Sequence, residues 1–345
     1  MINPVLVEVT RAGLVESRHR GTVAVALASG ETLLELGDTA APVYPRSAVK
    51  PMQALATVAE GAVDHFDLED DEVAVMCSSH NGEERHIQAV RSILKKIGRQ
   101  EADLECGAHW PLNAAAAREL ARQESEPAAI HNNCSGKHAG MLALARLMEV
   151  GHQGNIAHDH PEQIRIREVL AAFFGALLGE APCGTDGCSV PTYALPPSAL
   201  AAGFARFGAG EGVSQFHAQG ARTIARAIAT NPFMIAGSDR FCNKANAHCG
   251  ARALNKVGAE GMMCAALPER SVGIAVKCDD GASRGAEVIM AHLLAAFGAA
   301  DPTDPAFVEL MTRPIRNANA IHTGDIRAAP ALIEALSGTG QSMIA

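Results

Sequence analysis

The sequence YPRSAVKPMQ at residues 44–53 decides the fold, because it ends a run of strand-like sequence and begins a helix. Pro51 lacks a backbone N–H and is tolerated only in the first turn of a helix, so the helix is predicted to begin within about four residues before it. Ser47 is then the predicted N-cap. Lys50 follows one turn later and lies on the same face of the helix as Ser47.

Ser47 and Lys50 form a pair that can carry out nucleophilic chemistry. The positive end of the helix dipole favours the neutral form of Lys50, and a neutral amine can take the proton of a serine hydroxyl. The Ser-x-x-Lys pattern alone is weak, because a second pair, Ser92 and Lys95, lies inside a predicted helix. An ordinary capping serine followed by a solvated lysine is the alternative.

Composition narrows the classes of function. The chain has 345 residues, 48% of them hydrophobic, and a formal net charge of −9. No block of Lys and Arg could neutralise a run of phosphates, which argues against nucleic acid and anionic membranes as partners. The longest apolar run, residues 169–178, is far shorter than a bilayer span, and the N-terminus lacks a signal-peptide pattern. A cytoplasmic protein that acts on a small molecule is expected.

Strand-like runs lie at both ends of the chain, and helical, alanine-rich sequence lies between them. Strands are predicted over residues 5–10, 21–27, 31–36, 72–77, 255–258, 262–267 and 271–277. Helices are predicted over residues 84–97, 112–122, 137–148, 161–178 and 283–297. The predicted fold class is α/β of the α+β type, a mainly antiparallel sheet flanked by helices with a helical insertion.

The helical block has no repeat and no low-complexity linker around it, so it is predicted to be an insertion into one domain over residues 1–345. The sheet part is expected at approximately 1–85 and 250–300, and the mainly helical part at approximately 86–249. Whether the tail over residues 302–345 is ordered stays open.

Three short motifs follow one another in the chain. They are Ser47-x-x-Lys50, Ser79-His80-Asn81 on a predicted loop, and Lys256-Val257-Gly258 on a predicted strand. This order resembles the signature of serine β-lactamases and penicillin-binding proteins. Val257 departs from that signature, which has threonine there, and the first two motifs lie unusually close together.

Longer motifs across nearly the whole chain resemble the asparaginase II family, the rhizobial type of L-asparaginase. They are Arg46-Ser47-Ala48-Val49-Lys50-Pro51, Cys77-Ser78-Ser79-His80, Asn133-Cys134-Ser135-Gly136-Lys137-His138, Gly184-Thr185-Asp186-Gly187-Cys188 and Lys256-Val257-Gly258-Ala259. The resemblance implies a serine β-lactamase-like fold, a homodimer and hydrolysis of L-asparagine to aspartate and ammonia.

The resemblance also implies roles for individual residues. Two catalytic Ser-Lys pairs correspond to Ser47 with Lys50 and to Ser79 with Lys256. One zinc ion per chain is implied beside the site, held by residues that match Cys134, Lys137 and Cys188.

The residues of the implied zinc site also have an interpretation of their own. Cys134 is predicted at a helix N-terminus with Lys137 one turn on, which should lower its thiol pKa and favour metal binding. Zinc binds cysteine sulfur readily, yet two unconnected thiols remain the alternative, and further candidate ligands are Cys183, Cys242, Cys249 and His248. The nine scattered cysteines fit reduced thiols. Zinc is expected to position Lys137 and nearby loops rather than to activate water.

Five residues are candidates for substrate binding. Arg46 could bind a carboxylate with two hydrogen bonds, and Asp186 could pair with an ammonium group. His80, Asn81 and Gly258 lie within the catalytic motifs and are expected to contact substrate, although a lone histidine is more often a structural hydrogen-bonding residue.

The predicted function is L-asparaginase, acting through a Ser-Lys nucleophile and an acyl-enzyme. The alternative among enzymes is another serine amidase of β-lactamase-like fold, a glutaminase or a β-lactam hydrolase, because pockets discriminate one methylene only modestly. From a different class, a zinc-dependent regulatory or binding protein with accidental Ser-Lys pairs predicts metal binding without ammonia release.

Overall fold

The computed structural model of the protein describes residues 2–337. Its strands within that range are β1 (Val5–Arg11), β2 (Leu14–Leu27), β3 (Thr32–Leu36), β4 (Cys183–Thr185), β5 (Pro191–Tyr193), β6 (Leu254–Val257), β7 (Met262–Leu267), β8 (Val272–Cys278), β9 (Arg313–Arg316) and β10 (His322–Ala328). Its α-helices are α1 (Lys50–Ala59), α2 (Ala62–Phe66), α3 (Asp70–Met76), α4 (Glu84–Lys96), α5 (Ala114–Arg122), α6 (Ser135–Leu147), α7 (Pro161–Phe174), α8 (Pro197–Ala209), α9 (Gln215–Thr230), α10 (Phe241–Cys249), α11 (Ser283–Ala296), α12 (Pro305–Met311) and α13 (Pro330–Ser337).

The chain forms two compact units. The first takes in the described residues of Met1–Ala48, Leu195–Ala209 and His248–Ala345. The second comprises Val49–Ala194 and Gly210–Ala247. The predicted sheet part over about 1–85 therefore ends earlier than expected, because residues from Val49 onward contribute helices to the second unit.

The first unit contains an eight-stranded antiparallel sheet in the order β6-β7-β8-β2-β1-β10-β9, with β3 also paired to β2. The predicted fold class, a mainly antiparallel sheet with helices and a helical insertion, is confirmed. Strands β9 and β10 come from the C-terminal tail, for which no strand was predicted. Residues 338–345 of that tail lie outside the described residues.

Helices cover both faces of the sheet around β8. Gly273 approaches the backbone of Ala201 in α8, whereas the Cys278 sulfur lies near Gly285 in α11. Side chains alternate between the faces of a strand, so residues 273 and 278 point to opposite faces and the two helices pack on opposite sides. All six residues of β7 are buried, as two-sided coverage requires.

The second unit is mainly helical and is built around α6, in which the residues from Ser135 to Ala145 are buried. Gly136 and Gly140 face α3, where an added Cβ would lie 2.2 Å from the Val75 carbonyl oxygen and 2.7 Å from the Met76 sulfur. The two helices therefore approach each other closely. No helix in the described range is long and apolar enough to cross a membrane.

Two local predictions were wrong. Residues 72–77 were expected to form a strand, but Asp70–Met76 is helix α3. The Glu72 carboxylate accepts a hydrogen bond from the Glu69 N–H at 2.7 Å, which caps the helix N-terminus. Periodicity alone does not distinguish helix from strand in this short apolar run, and the cap favours the helix. Cys77 consequently follows a helix rather than lying on a strand, although it is fully buried as expected.

Candidate active site

Ser47 lies at the start of the helix that the sequence predicted, but it is not the N-cap. The chain first forms a 3-10 turn over Arg46–Val49, and Val49 is the N-cap of α1. Pro51 occupies the first turn of α1, as predicted, and its missing N–H costs no helical bond there. Ser47 is half-buried within the 3-10 turn.

Lys256 and Gly258 lie at the end of β6, in the same unit as Ser47. Lys256 is fully buried, and its Nζ donates to the Val257 carbonyl oxygen at 2.7 Å. A Cβ on Gly258 would lie 2.5 Å from the carbonyl oxygen of Pro45. The backbone at residue 258 therefore packs directly against the backbone that leads into the Ser47 turn, and only glycine permits this approach.

Lys50 lies beside Ser79 in the second unit. The Lys50 Nζ is 3.1 Å from the Ser79 Oγ, 2.6 Å from the Ser78 carbonyl oxygen and 3.4 Å from the Asn133 carbonyl oxygen. Lys50 has no exposed surface, and the three oxygen atoms that its amine contacts belong to uncharged groups. The amine of Lys50 is thus surrounded by neutral oxygen atoms. Ser79 lies on the loop between α3 and α4, as the sequence predicted.

His80 is a buried, neutral residue that holds Ser135. Its Nδ1 accepts the Gly82 N–H at 3.2 Å, so its Nε2 carries the proton and donates to the Ser135 Oγ at 2.8 Å. Burial, followed by His86 and Lys50, keeps the pKa of His80 well below its ordinary value. The His86 ring stacks on His80 with centroids 5.1 Å apart. The predicted contact between His80 and substrate stays a prediction.

Asn81 joins its loop to two other segments of the second unit. Its carbonyl oxygen accepts the Asn113 N–H at 2.8 Å, and its Nδ2 is 3.5 Å from the Ser238 carbonyl oxygen. The Glu83 carboxylate accepts the Ser238 N–H at 2.8 Å. These bonds give Asn81 a role in holding the Ser79 loop, and its predicted role in substrate binding stays a prediction.

The two cysteines and the lysine of the predicted metal site lie together in the second unit. Lys137 Nζ donates to Cys188 Sγ at 2.9 Å, and the Cys134 thiol lies beside Cys188. The neighbouring Cys134 thiol lowers the pKa of Cys188 to about 5, whereas Cys188 and burial raise the pKa of Cys134 to about 12. The predicted lowering of the Cys134 pKa is therefore wrong, because the neighbouring thiolate and burial outweigh the helix N-terminus. Burial disfavours charge on Lys137, but the two sulfur atoms outweigh it and raise its pKa. Cys188 is therefore a thiolate paired with the Lys137 ammonium.

Asp186 and Arg46, the remaining substrate-binding candidates, are both half-buried. Asp186 begins a tight turn between β4 and β5, in which its carbonyl oxygen accepts the Ser189 N–H, and its Oδ2 is 3.6 Å from the Cys188 Sγ. Arg46 adopts a left-handed backbone conformation with φ of 50° directly before Ser47. Each residue thus adjoins a group already described, Asp186 the cysteine cluster and Arg46 the Ser47 turn.

The family model described as L-asparaginase II matches residues 7–328 of this chain. The chain belongs to the L-asparaginase II family. The resemblance inferred from the motifs is confirmed, and the protein is an amidohydrolase enzyme. The match covers parts of both compact units, while the prediction of one single domain stays a prediction.

Solved structures of Mglu are similar to this asparaginase II chain. Mglu in its native form is 16% identical, with a TM-score of 0.39 over 88% of this chain and 70% of that one. Mglu in its glutamate form is 15% identical, with a TM-score of 0.38 over 81% and 61%. A further Mglu structure is 17% identical, with a TM-score of 0.39 over 87% and 72%, so this chain spans 61 to 72% of those chains. No curated protein matches the chain.

The donor set of the cysteine cluster fits the zinc that the asparaginase II resemblance implies. Two sulfur atoms and one amine converge in a buried place, and one sulfur is already a thiolate. Residues 2–337 contain no cluster of three or more His, Cys, Asp or Glu side chains that could hold a metal, so lysine would have to complete the set. A cation there must displace the Lys137 and Cys134 protons.

Three neighbours of the asparaginase II motifs were not predicted. Ser135 bonds to His80, Asn133 bonds to Lys50 through its carbonyl oxygen, and His109 accepts the Asn133 N–H at 2.9 Å. Ser135 and Asn133 lie inside a motif that was recognised, but the motif does not say which atoms act. His109 lies in an irregular segment that gives no sequence signal.

Proposed function

We propose that this asparaginase II enzyme is an L-asparaginase that uses Ser47 as nucleophile. The observation that carries the proposal is the buried Lys50 amine, 3.1 Å from the Ser79 hydroxyl and otherwise bonded to two main-chain carbonyl oxygens. A neutral amine has two hydrogens and one lone pair. In the structure the Lys50 amine donates to all three oxygens, and after the loss of one proton it would keep the two carbonyl bonds and turn its lone pair toward a serine hydroxyl, as a general base requires.

Acylation follows from this arrangement. Lys50, three residues after Ser47, takes the Ser47 proton while Ser47 Oγ bonds to the side-chain amide carbon of L-asparagine. The resulting tetrahedral oxyanion is stabilised by backbone N–H groups, one of them from Ser47. The carbon–nitrogen bond then breaks, and the proton held by Lys50 reaches the leaving nitrogen through Ser79, so that ammonia departs.

Deacylation reverses the proton path. Water loses a proton to the base and attacks the aspartyl ester, and the Ser47 oxygen leaves with that proton, which releases aspartate. Lys256 is the lysine of the second proposed Ser-Lys pair, with Ser79. Arg46 and Asp186 are the proposed partners of the substrate carboxylate and ammonium, and His80, Asn81 and Gly258 are the other residues proposed to bind substrate.

The zinc ion of this proposal is held by Cys134, Lys137 and Cys188. It would supply fixed positive charge in place of the Lys137 ammonium and would hold the loop that carries Asp186. The convergence of the three donor atoms supports it. A homodimer in the cytoplasm with a small-molecule substrate completes the proposal, and light scattering of the purified protein tests the dimer.

Ammonia release from L-asparagine and from L-glutamine, each measured against a blank without substrate, tests the proposed function. Release from L-asparagine should disappear in Ser47→Ala and persist in Ser92→Ala, which removes the serine of the second Ser-x-x-Lys pair in α4. Equal turnover of L-glutamine would contradict the assignment of L-asparagine as the specific substrate. Activity retained in Ser47→Ala would remove Ser47 as nucleophile, and silence on both amides in a folded protein would remove the amidase proposal.

A further inference from the structure

The irregular segment over residues 106–113 lies across the loops that hold the Lys50 partners. His109 Nε2 accepts the Asn133 N–H at 2.9 Å, and the Asn113 N–H donates to the Asn81 carbonyl oxygen at 2.8 Å. A Cβ on Gly82 would lie 2.8 Å from the Cβ of Pro111. The segment is therefore in close contact with the loops that contain Ser79 and Asn133.

The ring of His109 has a defined orientation. Its Nδ1 is 2.7 Å from the carbonyl oxygen of Trp110, which can only accept, so Nδ1 carries the proton. The lone pair of Nε2 is then directed at the Asn133 N–H. Both ring nitrogens therefore form hydrogen bonds, Nδ1 to Trp110 within the segment and Nε2 to Asn133 outside it.

Asn133 transmits this contact to the catalytic lysine. Its carbonyl oxygen is 3.4 Å from the Lys50 Nζ, and its side-chain Oδ1 accepts the Cys134 thiol at 3.1 Å. Asn133 thus contacts His109 through its N–H, Lys50 through its carbonyl and Cys134 through its side chain. Any rotation of the Asn133 backbone moves one of the two carbonyl oxygens that orient the Lys50 amine.

We propose that His109 is a positioning residue that orients Lys50 through the Asn133 main chain. The proposal rests on the proposed function for the role of Lys50. A purely structural role is a poor explanation, because α5, which follows the segment, contains no buried residue and adds little to the core. The hydrogen bond between His109 and Asn133 therefore acts mainly to fix the backbone at residue 133.

Two variants of His109 separate positioning from stability. In His109→Gln, the side-chain Oε1 reaches about as far as Nε2 and can still accept the Asn133 N–H. In His109→Asn, the acceptor reaches only the Nδ1 position. We expect kcat to fall about ten-fold or more in His109→Asn with a smaller change in KM, and to stay within about three-fold in His109→Gln. Both variants remove the imidazole, so an equal loss in both overturns the proposal.

His131→Asn is the matched control. His131 also lies beside the site loops, but its Nδ1 accepts only the local Ala128 N–H at 2.9 Å, which asparagine can replace. Wild-type kcat is expected in this variant, and a loss as large as that in His109→Asn overturns the proposal by showing that the region responds to any histidine substitution.

Amide hydrogen exchange makes the test independent of turnover. The Asn133 amide should exchange faster in His109→Asn than in wild type and His109→Gln, and the fluorescence of Trp110, the one tryptophan of the sequence, should change with it. Unchanged exchange at Asn133 overturns the inference. A wild-type protein silent on both amides would remove the proposed function, while the exchange rates would still decide whether His109 fixes Asn133.

Discussion

The Lys50 Nζ lies 3.1 Å from the Ser79 Oγ, although Ser47 is the serine that shares the Ser-x-x-Lys motif with Lys50. The resemblance assigned Ser79 to Lys256 and Ser47 to Lys50. The structure shows that Lys50 also contacts the second serine, within a unit where the Ser78 carbonyl oxygen accepts its closest hydrogen bond at 2.6 Å. The Lys50 amine can therefore exchange a proton with the Ser79 hydroxyl, which is the step that the proposed relay to the leaving nitrogen requires.

Ser79→Ala should lower kcat by about 10²–10⁴-fold, because it removes the hydroxyl that returns the proton to the leaving nitrogen. Folding should persist, since the Ser78 carbonyl remains to bond Lys50. Pre-steady-state kinetics with L-asparagine checks this, and ammonia should form slowly from the first turnover onward. Ser78→Ala is the control: its buried Oγ has no hydrogen-bond partner among residues 2–337, so its kcat should match wild type. An equal loss in the two variants would contradict the relay.

Gly258→Ala should lower kcat by about ten-fold or more while the fold persists. The new Cβ would lie 2.5 Å from the Pro45 carbonyl oxygen and 2.9 Å from the Met262 Cβ, so the backbone before Ser47 must shift, and small displacements of reacting groups are costly. Steady-state kinetics and thermal unfolding measure the two effects. Gly151→Ala is the matched control, because no atom lies within 4 Å of its added Cβ. Wild-type turnover in Gly258→Ala would show that the contact does not matter for the Ser47 turn.

The sequence predicted the elements whose signals are local. Helix α4 begins at Glu84 and strand β7 spans Met262–Leu267, as their periodicity indicates. It did not predict β9 and β10, because these strands contain proline, glycine and charged residues and their pairing depends on β1 at the other end of the chain. The same limit applies to the site.

The sequence motifs did not predict the contacts that loop residues outside the motifs make with the site. His109 meets Asn133 across 24 positions of the chain, and nothing near His109 in the sequence marks it as functional. The cysteine cluster is the opposite case. Its three residues were suggested by family motifs, and they converge because the turn after β4 brings Cys188 to the start of α6.

Removal of zinc should raise KM for L-asparagine more than it lowers kcat, because the proposed metal positions loops and does not activate water. Zinc binding should release about two protons, from the Cys134 thiol and the Lys137 ammonium. Calorimetric titration in buffers of different ionisation enthalpy counts those protons. Cys188→Ser should lose stoichiometric zinc, whereas Cys183→Ser, which alters an exposed thiol, should retain it. Total loss of turnover in the metal-free enzyme would contradict the positioning role.

Glu162→Gln should stabilise the protein at neutral pH. Glu162 is fully buried in the first turn of α7, and its Oε2 has no hydrogen-bond partner among residues 2–337. Burial holds the pKa of this carboxyl well above its ordinary value. The folded state therefore retains a proton that the unfolded state loses above about pH 4.3, so the free energy of unfolding falls as the pH rises through the folded-state pKa.

Glutamine does not titrate, so the gain in free energy of unfolding of Glu162→Gln over wild type should be smallest near pH 4 and should grow toward pH 8. Urea denaturation at a series of pH values measures this difference. Glu168→Gln, on an exposed part of the same helix, should show no such growth with pH. A constant difference across the range would mean that Glu162 is ionised in the folded protein, and that its buried carboxylate has a partner that compensates the charge.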